Sequence, residues 1–503
     1  MEQFFLGIDS GTQSTKALLV NECGETLGRG QCAHDMIEGL PPGYKEQHPQ
    51  RWIEALIDSV HQAMAGACAQ PEQIVAIGVS GQQHGFVPLD AAGEVIRPAK
   101  LWCDTSTAAQ CETILARAGG LERCVALIGN GMPAGFTASK ILWLKENESQ
   151  NFARLHTVLL PHDYLNFWLT GERHMEWGDA SGTALLDVRT REWRPELLAA
   201  IDDGLAGMLP PLTPSWEPCG TLRQEAAEAL GLASGALVAS GGGDNMMGAI
   251  GTGCVAPGRV TASLGTSGTI YACMDQPLVD PRGEIAAFCD STGKWLPLLC
   301  TMNVTVATEL MKELLALDTA ALNERANAAP AGCDGLLLIP YFEGERTPNV
   351  PDGTGTLFGL NARTMTPAHF ARAAMEGATL GMYYGFNRMK ALGLAPTEVR
   401  LTGGGGKSPL WRQICADVFN VPVVCSIEPE GAALGGALQA LWQYRRQQDP
   451  NASIESIAAA CVQLDESTRC EPNPENAALY AALQKQHDAL SLDLRQSFQR
   501  HKG

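Results

Sequence analysis

The sequence has no excess of positive charge and no long apolar run. Its 503 residues include 36 Lys and Arg against 55 Asp and Glu, which gives a net charge of −19. This balance argues against nucleic acid or an anionic membrane as the main partner, although an anionic small substrate can still meet basic groups locally. No uninterrupted apolar stretch approaches the ~18 residues of a spanning helix, so we expect no membrane partner.

Paired-cysteine motifs are also missing. The sixteen cysteines include no C-x-x-C pair, which argues against a zinc ribbon or a thioredoxin-like site. The first residues, MEQFFLGIDSG, lack the basic and long apolar regions of an export signal. We therefore expect a cytoplasmic protein in which the cysteines are reduced and mostly serve as small buried apolar residues.

Length and pattern together predict an α/β protein with more than one core. A chain of this length predicts two large units or about three of ~150 residues. Strand-like runs at 74–80 and 399–402 alternate with helical patterns at 51–67 and 409–419. Such alternation is typical of an α/β architecture.

Two predicted β-hairpins contain similar glycine-rich turns, one in each half of the chain. The first covers 4–20 and the second 260–272. Glycine lets backbone N–H groups approach an anion closely, so both turns are candidate phosphate sites. The alternative is a pair of ordinary hairpin turns, because Gly, Thr and Ser are common turn residues. The candidate phosphate-binding residues are Gly11, Thr12, Gln13, Lys16, Gly265 and Thr266.

A run of four glycines at 403–406 precedes Lys407 and Ser408. It has the ending of a P-loop, but Leu401 occupies the position where that motif needs its opening glycine. A strand-to-helix turn explains the glycines in part. A flat turn against which a purine ring can lie explains them better, and Gly404 and Gly405 are its candidate residues.

Two aspartates follow predicted strands and are candidates for chemistry. Asp244 comes directly after three glycines, where a carboxylate can act as general base toward a hydroxyl. The alternative for Asp244 is a cap of the helix that follows. Asp9 precedes the first glycine-rich turn and can hold Mg²⁺ or cap that turn.

Four further polar or charged residues lie in predicted turns. His84, within the turn 81–85, can bind a polyol or be structural. Asp104 can face a ligand or cap the helix predicted at 106–118. For Glu343 and Glu345 we favour a solvated loop with internal ion pairs.

Two long motifs are similar to those of the FGGY carbohydrate kinases, a branch of the actin-like ATPase superfamily. The first is GFTASKILWLKEN at 135–147, and the second runs from GTLFGL at 355–360 to HFARAAME at 369–376. The resemblance covers essentially the whole chain. It implies an α/β fold of two actin-like, ribonuclease-H-like ATPase lobes with a cleft between them.

Within that family the chain is most similar to the D-xylulose kinases, through 81–85, 102–111, 243–245 and 263–267. This similarity implies ATP-dependent phosphorylation of D-xylulose at its terminal hydroxyl, with ATP and Mg²⁺. It implies that Asp244 is the catalytic base and that Gln83, His84 and Asn245 contact the sugar. The glycine-rich turns and Gly404 and Gly405 would then bind ATP.

Three positions depart from patterns within that branch. Gln83 stands where many bacterial members have Met, Cys103-Asp104-Thr105-Ser106 stands where they have Asn-Asp-Gly-Arg, and Gly135 stands where some eukaryotic members place an Arg. D-Ribulose or a related ketose or polyol therefore remains an alternative substrate. A non-enzymatic actin-like nucleotide switch is a more remote alternative.

We expect residues 1–246 to form a sugar-binding N-terminal lobe and residues 247–503 an ATP-binding C-terminal lobe. The expected partners are the sugar and ATP, without nucleic acid or membrane. By analogy with the family, a homodimer is also an expectation.

Overall fold

The chain folds into two compact units, neither of which is one continuous stretch. The structure, a computed structural model, describes residues 2–502. The first unit contains the chain up to Ala256 together with Cys273–Leu296 and Glu430–Val462. The second contains Pro257–Ala272, Pro297–Pro429 and the chain from Gln463 onward. The predicted lobes, 1–246 and 247–503, are by contrast each one continuous stretch, because a single boundary separates them.

The first unit is built on a mixed sheet. Its strands are β1 (Phe4–Ser10), β2 (Ser14–Val20), β3 (Thr26–Ala33), β4 (Ile74–Gly81), β5 (Gly220–Thr221), β6 (Leu237–Val238) and β7 (Gly242–Gly243). The order is β5-β6-β4-β1-β2-β3, and β7 also pairs with β4. β1 is antiparallel to β2 and parallel to β4, with Asp9 opposite Lys16 on β2 and opposite Ser80 on β4.

The sheet of the second unit repeats part of this arrangement. Its strands are β8 (Arg259–Leu264), β9 (Gly268–Ala272), β10 (Trp295–Thr301, from Pro297 in this unit), β11 (Glu398–Thr402), β12 (Val423–Ser426) and β13 (Leu464–Cys470). The order is β10-β9-β8-β11-β12-β13. β8 is antiparallel to β9 and parallel to β11, as β1 is to β2 and β4. Both predicted hairpins are therefore confirmed, and each pairs with a third antiparallel strand on one side and a parallel strand on the other. The two sheets differ beyond the parallel strand, where the order is β4-β6-β5 in the first and β11-β12-β13 in the second.

Helices flank these sheets. In the first unit they are Pro49–Ala67, Ala108–Ala118, Leu121–Ile128, Thr137–Asn147, Ser149–Phe152, Pro161–Thr170, Trp177–Ala180, Pro195–Ala199, Gln224–Leu230, Asp244–Gly251, Gly431–Arg446 and Ile454–Cys461. In the second they are Thr305–Leu315, Thr319–Ala328, Pro367–Ala391, Pro409–Phe419, Pro474–Asp493 and Arg495–Lys502. Among the described residues, every helix is too short or too polar to traverse a bilayer.

Short ladders complete the strands. They pair Glu46–Gln47 with Ala99–Lys100, Val87–Leu89 with Thr157–Leu159, Met175–Glu176 with Leu212–Thr213, Leu186–Asp187 with Glu192–Trp193, and Leu337–Pro340 with Gly355–Phe358; Ala286–Cys289 is a further strand of the first unit. No two of the sixteen cysteines, all of which lie within residues 2–502, form a disulfide.

Glycines allow the helix Gly431–Arg446 to lie directly on the first sheet. A Cβ on Gly7 of β1 would be 1.9 Å from the carbonyl oxygen of Ala433. A Cβ on Gly435 would be 1.8 Å from the carbonyl oxygen of Met247, in the helix Asp244–Gly251. Any side chain at these positions would push the backbones apart. The close packing fixes the helix that begins at Asp244 against the core of the sheet.

Candidate active site

The first unit gathers Asp244, Asn245 and Gln83 into one hydrogen-bonded group. The strand β7 ends at Gly243, and Asp244 is the first residue of the following helix. Asn245 donates from its backbone N–H (2.8 Å) and from Nδ2 (2.9 Å) to Oδ1 of Asp244. Nδ2 of Asn245 also donates to Oε1 of Gln83 at 2.6 Å. The N-cap of this helix is Gly243, and Asp244 is the first residue inside the helix. Asp244 is therefore not the N-cap residue.

The carboxyl of Asp244 holds its proton more tightly than an ordinary aspartate. Burial, together with the negative charges of Asp9 and Asp179, raises its pKa from 3.8 to about 8. The bonds from Asn245 favour the ionised form but do not outweigh these effects. A carboxyl with a pKa in this range is suited to accept a proton near neutral pH.

Asp9 lies at the end of β1. Burial raises its pKa, and this effect is only partly offset by the hydrogen bond from Ser80 Oγ at 2.7 Å and by the positive charge of Lys16. Lys16, on the neighbouring strand, forms an ion pair with Glu430 at 2.5 Å. The predicted phosphate-binding lysine is therefore next to Asp9 and is already paired with a carboxylate.

A divalent cation fits the donor chemistry around Asp9. The charge of Asp9 raises the pKa of Asp244, so a cation would relieve repulsion between two carboxylates. Among residues 2–502 no group of three or more His, Cys, Asp or Glu side chains could hold a metal ion. Mg²⁺ in proteins takes one or two carboxylates and completes its shell with water and substrate phosphates, so the carboxylate of Asp9 is a donor of the type that this ion uses.

The turn between β1 and β2 carries the first predicted phosphate loop. Gly11 N–H donates to the carbonyl oxygen of Ser14 at 3.0 Å, which closes the turn. The hydroxyl of Thr12 accepts a hydrogen bond from Trp102 Nε1 at 3.0 Å, and His34 N–H donates to the carbonyl of Gln13 at 3.0 Å. The loop is thus held on both sides within the first unit.

Asp104 is completely buried, and its carboxylate is used by the protein itself. Oδ2 accepts from Lys45 N–H (2.9 Å) and Lys100 Nζ (3.1 Å), and Oδ1 accepts from the N–H and hydroxyl of Ser106. The structure therefore places Asp104 as the anchor of its own turn. Its contact with a sugar stays a prediction.

His84, which follows Gln83 in the chain, has an unusual backbone conformation. Its φ is +48°, in the left-handed region that non-glycine residues rarely adopt. Its backbone N–H and its Nδ1 both lie 3.1 Å from Oδ1 of Asp179. Asp179 was not predicted as a site residue, since nothing in the segment 174–183 forms a motif that points to His84.

The second unit brings its two glycine-rich turns together. A Cβ on Gly403, whose φ is +82°, would lie 2.7 Å from the carbonyl oxygen of Leu264, directly before Gly265. The carbonyl of Gly265 accepts from Thr305 N–H at 2.9 Å, and that of Thr266 accepts from Val304 N–H at 3.0 Å.

Gly404 and Gly405 occupy different environments in this pair of turns. A Cβ on Gly404 would meet no atom within 4 Å, so this glycine borders open space. A Cβ on Gly405 would be 2.8 Å from Leu264 Cβ. Ser408 caps the helix Pro409–Phe419 by accepting from Trp411 N–H at 3.2 Å, which explains the strand-to-helix part of the motif.

The prediction of a solvated Glu345 is wrong. Its side chain accepts hydrogen bonds from the N–H groups of Met302 and Arg346, both at 2.7 Å, and from Asn303 Nδ2 at 3.2 Å. Burial raises its pKa to about 7. Glu343, two residues earlier, is exposed as predicted.

The similarity to known proteins agrees with this arrangement. Residues 4–251 match the FGGY family of carbohydrate kinases, N-terminal domain, and residues 260–444 match the C-terminal domain of the same family. The chain belongs to the FGGY family of carbohydrate kinases. The predicted family and fold class, two actin-like ATPase lobes, are confirmed. Members of this family are ATP-dependent and use a divalent metal ion.

Individual relatives resemble the chain along nearly all its length. A xylulose kinase of Haemophilus influenzae is 40% identical over 476 residues, which cover 93% of this chain and 95% of that protein. The crystal structure of a xylulose kinase from Rhodospirillum rubrum is 27% identical, covers 99% and 100% of the two chains, and has a TM-score of 0.89. A gluconate kinase structure from Lactobacillus acidophilus is 25% identical, covers 100% of each chain, and has a TM-score of 0.91.

Proposed function

We propose that this carbohydrate kinase transfers the γ-phosphoryl group of ATP to the terminal hydroxyl of D-xylulose, giving D-xylulose 5-phosphate and ADP. The observation that carries the proposal is the Asp244 carboxyl, which has a pKa of about 8 and is held by Asn245 beside Gln83. The choice of sugar is supported by the relatives, since those at 32–40% identity are named xylulose kinases.

In this proposal Asp244 is the general base. When ionised, it accepts the proton of the sugar hydroxyl as the new O–P bond forms, an effect typically worth roughly 10²–10⁴-fold in rate. Asn245 orients the carboxylate through two hydrogen bonds to Oδ1, which leaves Oδ2 for the hydroxyl. Gln83 is bonded to Asn245 and so belongs to the same sugar-facing group, which also includes His84.

We also propose which residues bind the nucleotide and the metal ion. Asp9 would hold Mg²⁺, which when bound would neutralise charge on the phosphate oxygens. The turns at Gly11, Thr12 and Gln13 in the first unit, and at Gly265 and Thr266 in the second, would offer backbone N–H groups to phosphates. Lys16 would add a positive charge near Asp9. Gly404 and Gly405 would border the adenosine of ATP. The first unit is thus the proposed sugar-binding part and the second the ATP-binding part.

The test is sugar-stimulated ADP release from the purified protein with Mg²⁺ and ATP. We expect D-xylulose to stimulate turnover far more than D-ribulose, glycerol or gluconate. Selective stimulation by gluconate would overturn the sugar assignment, and the gluconate kinase neighbour makes it the sharpest rival. Nucleotide binding without stimulation by any sugar would instead favour a nucleotide switch.

Two further expectations stay predictions. These are a cytoplasmic location and a homodimer. Sedimentation velocity of the purified chain, at concentrations used in the kinetic assays, tests the second.

A further inference from the structure

His84 is held in place by contacts on its backbone as well as on its ring. Its carbonyl oxygen accepts from Thr137 Oγ1 at 3.0 Å and from Lys140 Nζ at 2.9 Å. Its backbone N–H and its Nδ1 converge on one oxygen of Asp179, each at 3.1 Å. A left-handed backbone at a non-glycine residue carries an energetic cost and persists where surrounding contacts determine it.

The ring of His84 has little freedom to turn. It packs against Phe136, with ring centroids 4.8 Å apart, and against Phe288, at 5.4 Å. Behind the ring lies Gly182, where a Cβ would be only 2.0 Å from Nδ1. Any side chain at Gly182 would therefore displace the ring from Asp179.

Asp179 is a buried carboxylate that lies close to a second histidine, His162. It is completely buried at the short helix Trp177–Ala180, and its second oxygen lies 3.4 Å from Nδ1 of His162. Nε2 of His162 lies 2.9 Å from Asp163. His162 thus bridges two buried aspartates.

The charges of this group favour an ionised Asp179. Burial disfavours its ionisation, but the hydrogen bonds and charges of His162 and His84 lower its pKa to about 2. Burial likewise disfavours the imidazolium of His162, yet Asp163 and Asp179 raise its pKa well above the usual value. An ionised carboxylate only accepts hydrogen bonds, so Nδ1 of His84 must be the donor.

We propose that Asp179, supported by His162, is a positioning residue for sugar binding that fixes the ring orientation and the Nδ1–H tautomer of His84. In the neutral ring this tautomer puts the lone pair on Nε2, the nitrogen that can accept a hydrogen bond from a sugar hydroxyl. The part concerning the sugar rests on the proposed function. The part concerning the tautomer depends only on the contacts of the first unit.

The first experiment reads the tautomer directly. The ¹⁵N shifts of the imidazole nitrogens are recorded at pH 7 in protein labelled at histidine, with His84 assigned by its loss in His84→Asn. We expect a protonated Nδ1 on His84 in the wild-type enzyme. Loss or exchange broadening of that pattern is expected in Asp179→Asn. An Nε2–H tautomer in the wild type, or an unchanged pattern in the variant, would overturn the proposal whether or not D-xylulose is the substrate.

The second experiment separates positioning from general stability by kinetics. Asp179→Asn should raise KM for the sugar by about 10- to 100-fold, as expected when a buried hydrogen-bond group is lost, with little change in KM for ATP. The matched control is Asp187→Asn, another buried aspartate, which loses its ion pairs with Arg189 and Arg194 but has no contact with His84. We expect its sugar KM to stay within about threefold of the wild-type value.

A double-mutant cycle decides whether Asp179 acts through His84. The background variant is His84→Asn, because asparagine tolerates the left-handed conformation. In that background, Asp179→Asn should raise KM for the sugar by less than about threefold. A full additive effect in that background would refute a positioning role. If Asp179→Asn does not fold, Gly182→Ala tests the same idea, because its methyl group displaces the ring and should raise the sugar KM without changing KM for ATP.

Discussion

Replacing Asp244 by Asn should stabilise the ligand-free enzyme at alkaline pH while removing most of its activity. The carboxyl has a pKa of about 8 in the folded chain and an ordinary value of 3.8 outside it. At a pH between these two pKa values, the carboxyl is protonated in the folded state and ionised in the unfolded state. The free energy of unfolding therefore falls as pH rises from about 4 to 8, and the Asn variant has no such loss.

The size of this effect follows from the pKa difference. Each pKa unit corresponds to about 1.4 kcal/mol, so the full effect above pH 8 would be roughly 6 kcal/mol. Asp244 keeps partial contact with solvent, and solvent screening reduces such contributions, so we expect about 2–3 kcal/mol. The loss of the general base should lower kcat by roughly 10²–10⁴-fold.

The assay is urea unfolding followed by tryptophan fluorescence at several pH values from 5 to 9, without nucleotide and with EDTA. The stability difference between Asp244→Asn and wild type should grow with pH and level off above about pH 8. Added Mg²⁺ and ATP should narrow it, because a cation near Asp9 offsets the repulsion. A difference that is flat or shrinks with rising pH would refute the electrostatic reasoning, and a near-normal kcat would refute the base assignment.

A matched control is Asp417→Asn in the second unit. Asp417 is also buried, and its carboxylate accepts hydrogen bonds from Gln413, Asn473 N–H and Asn476. We expect this variant to lose stability, because these hydrogen-bond donors lose an ionised acceptor, and to keep its kcat.

The remaining predictions concern pH dependence and packing. kcat/KM for the sugar should rise with pH up to about 8, because only the ionised form of Asp244 can accept the proton; a rate that falls over pH 6–8 would contradict this. Gly435→Ala should destabilise the fold by about 3 kcal/mol or more, because its Cβ would lie 1.8 Å from the carbonyl oxygen of Met247. Gly207→Ala, whose Cβ would meet no atom within 4 Å, is the control, and equal melting temperatures for the two variants would contradict the packing argument.

Local sequence patterns predicted the two hairpins because their determinants lie close together in the chain. Alternating apolar residues on both sides of a Gly-Thr turn define the strand pairs 4–20 and 260–272, and both form as expected. The helix Pro409–Phe419 begins at a proline, which favours the first helical turn, and it matches the predicted bounds. The arrangement that the two sheets share, β3-β2-β1-β4 in the first and β10-β9-β8-β11 in the second, arises only once the parallel strands β4 and β11 are in place.

The misread residue, Glu345, is one whose environment depends on distant parts of the chain. Glu345 lies in a charged, turn-rich segment that suggests solvent exposure, but it is buried against Met302 and Asn303, about forty residues earlier.

The sequence by itself therefore determined the two hairpins and the glycine-rich turns, since these depend on residue type and short-range spacing. Only the tertiary structure decided which charges meet. Asp179 is 95 residues from His84 and 17 from His162, and no local pattern joins them. The pKa of Asp244 likewise depends on burial and on Asp9, which the fold brings near from more than two hundred residues away. Coulomb energies depend on distance in space and on the exclusion of water, and a linear sequence specifies neither.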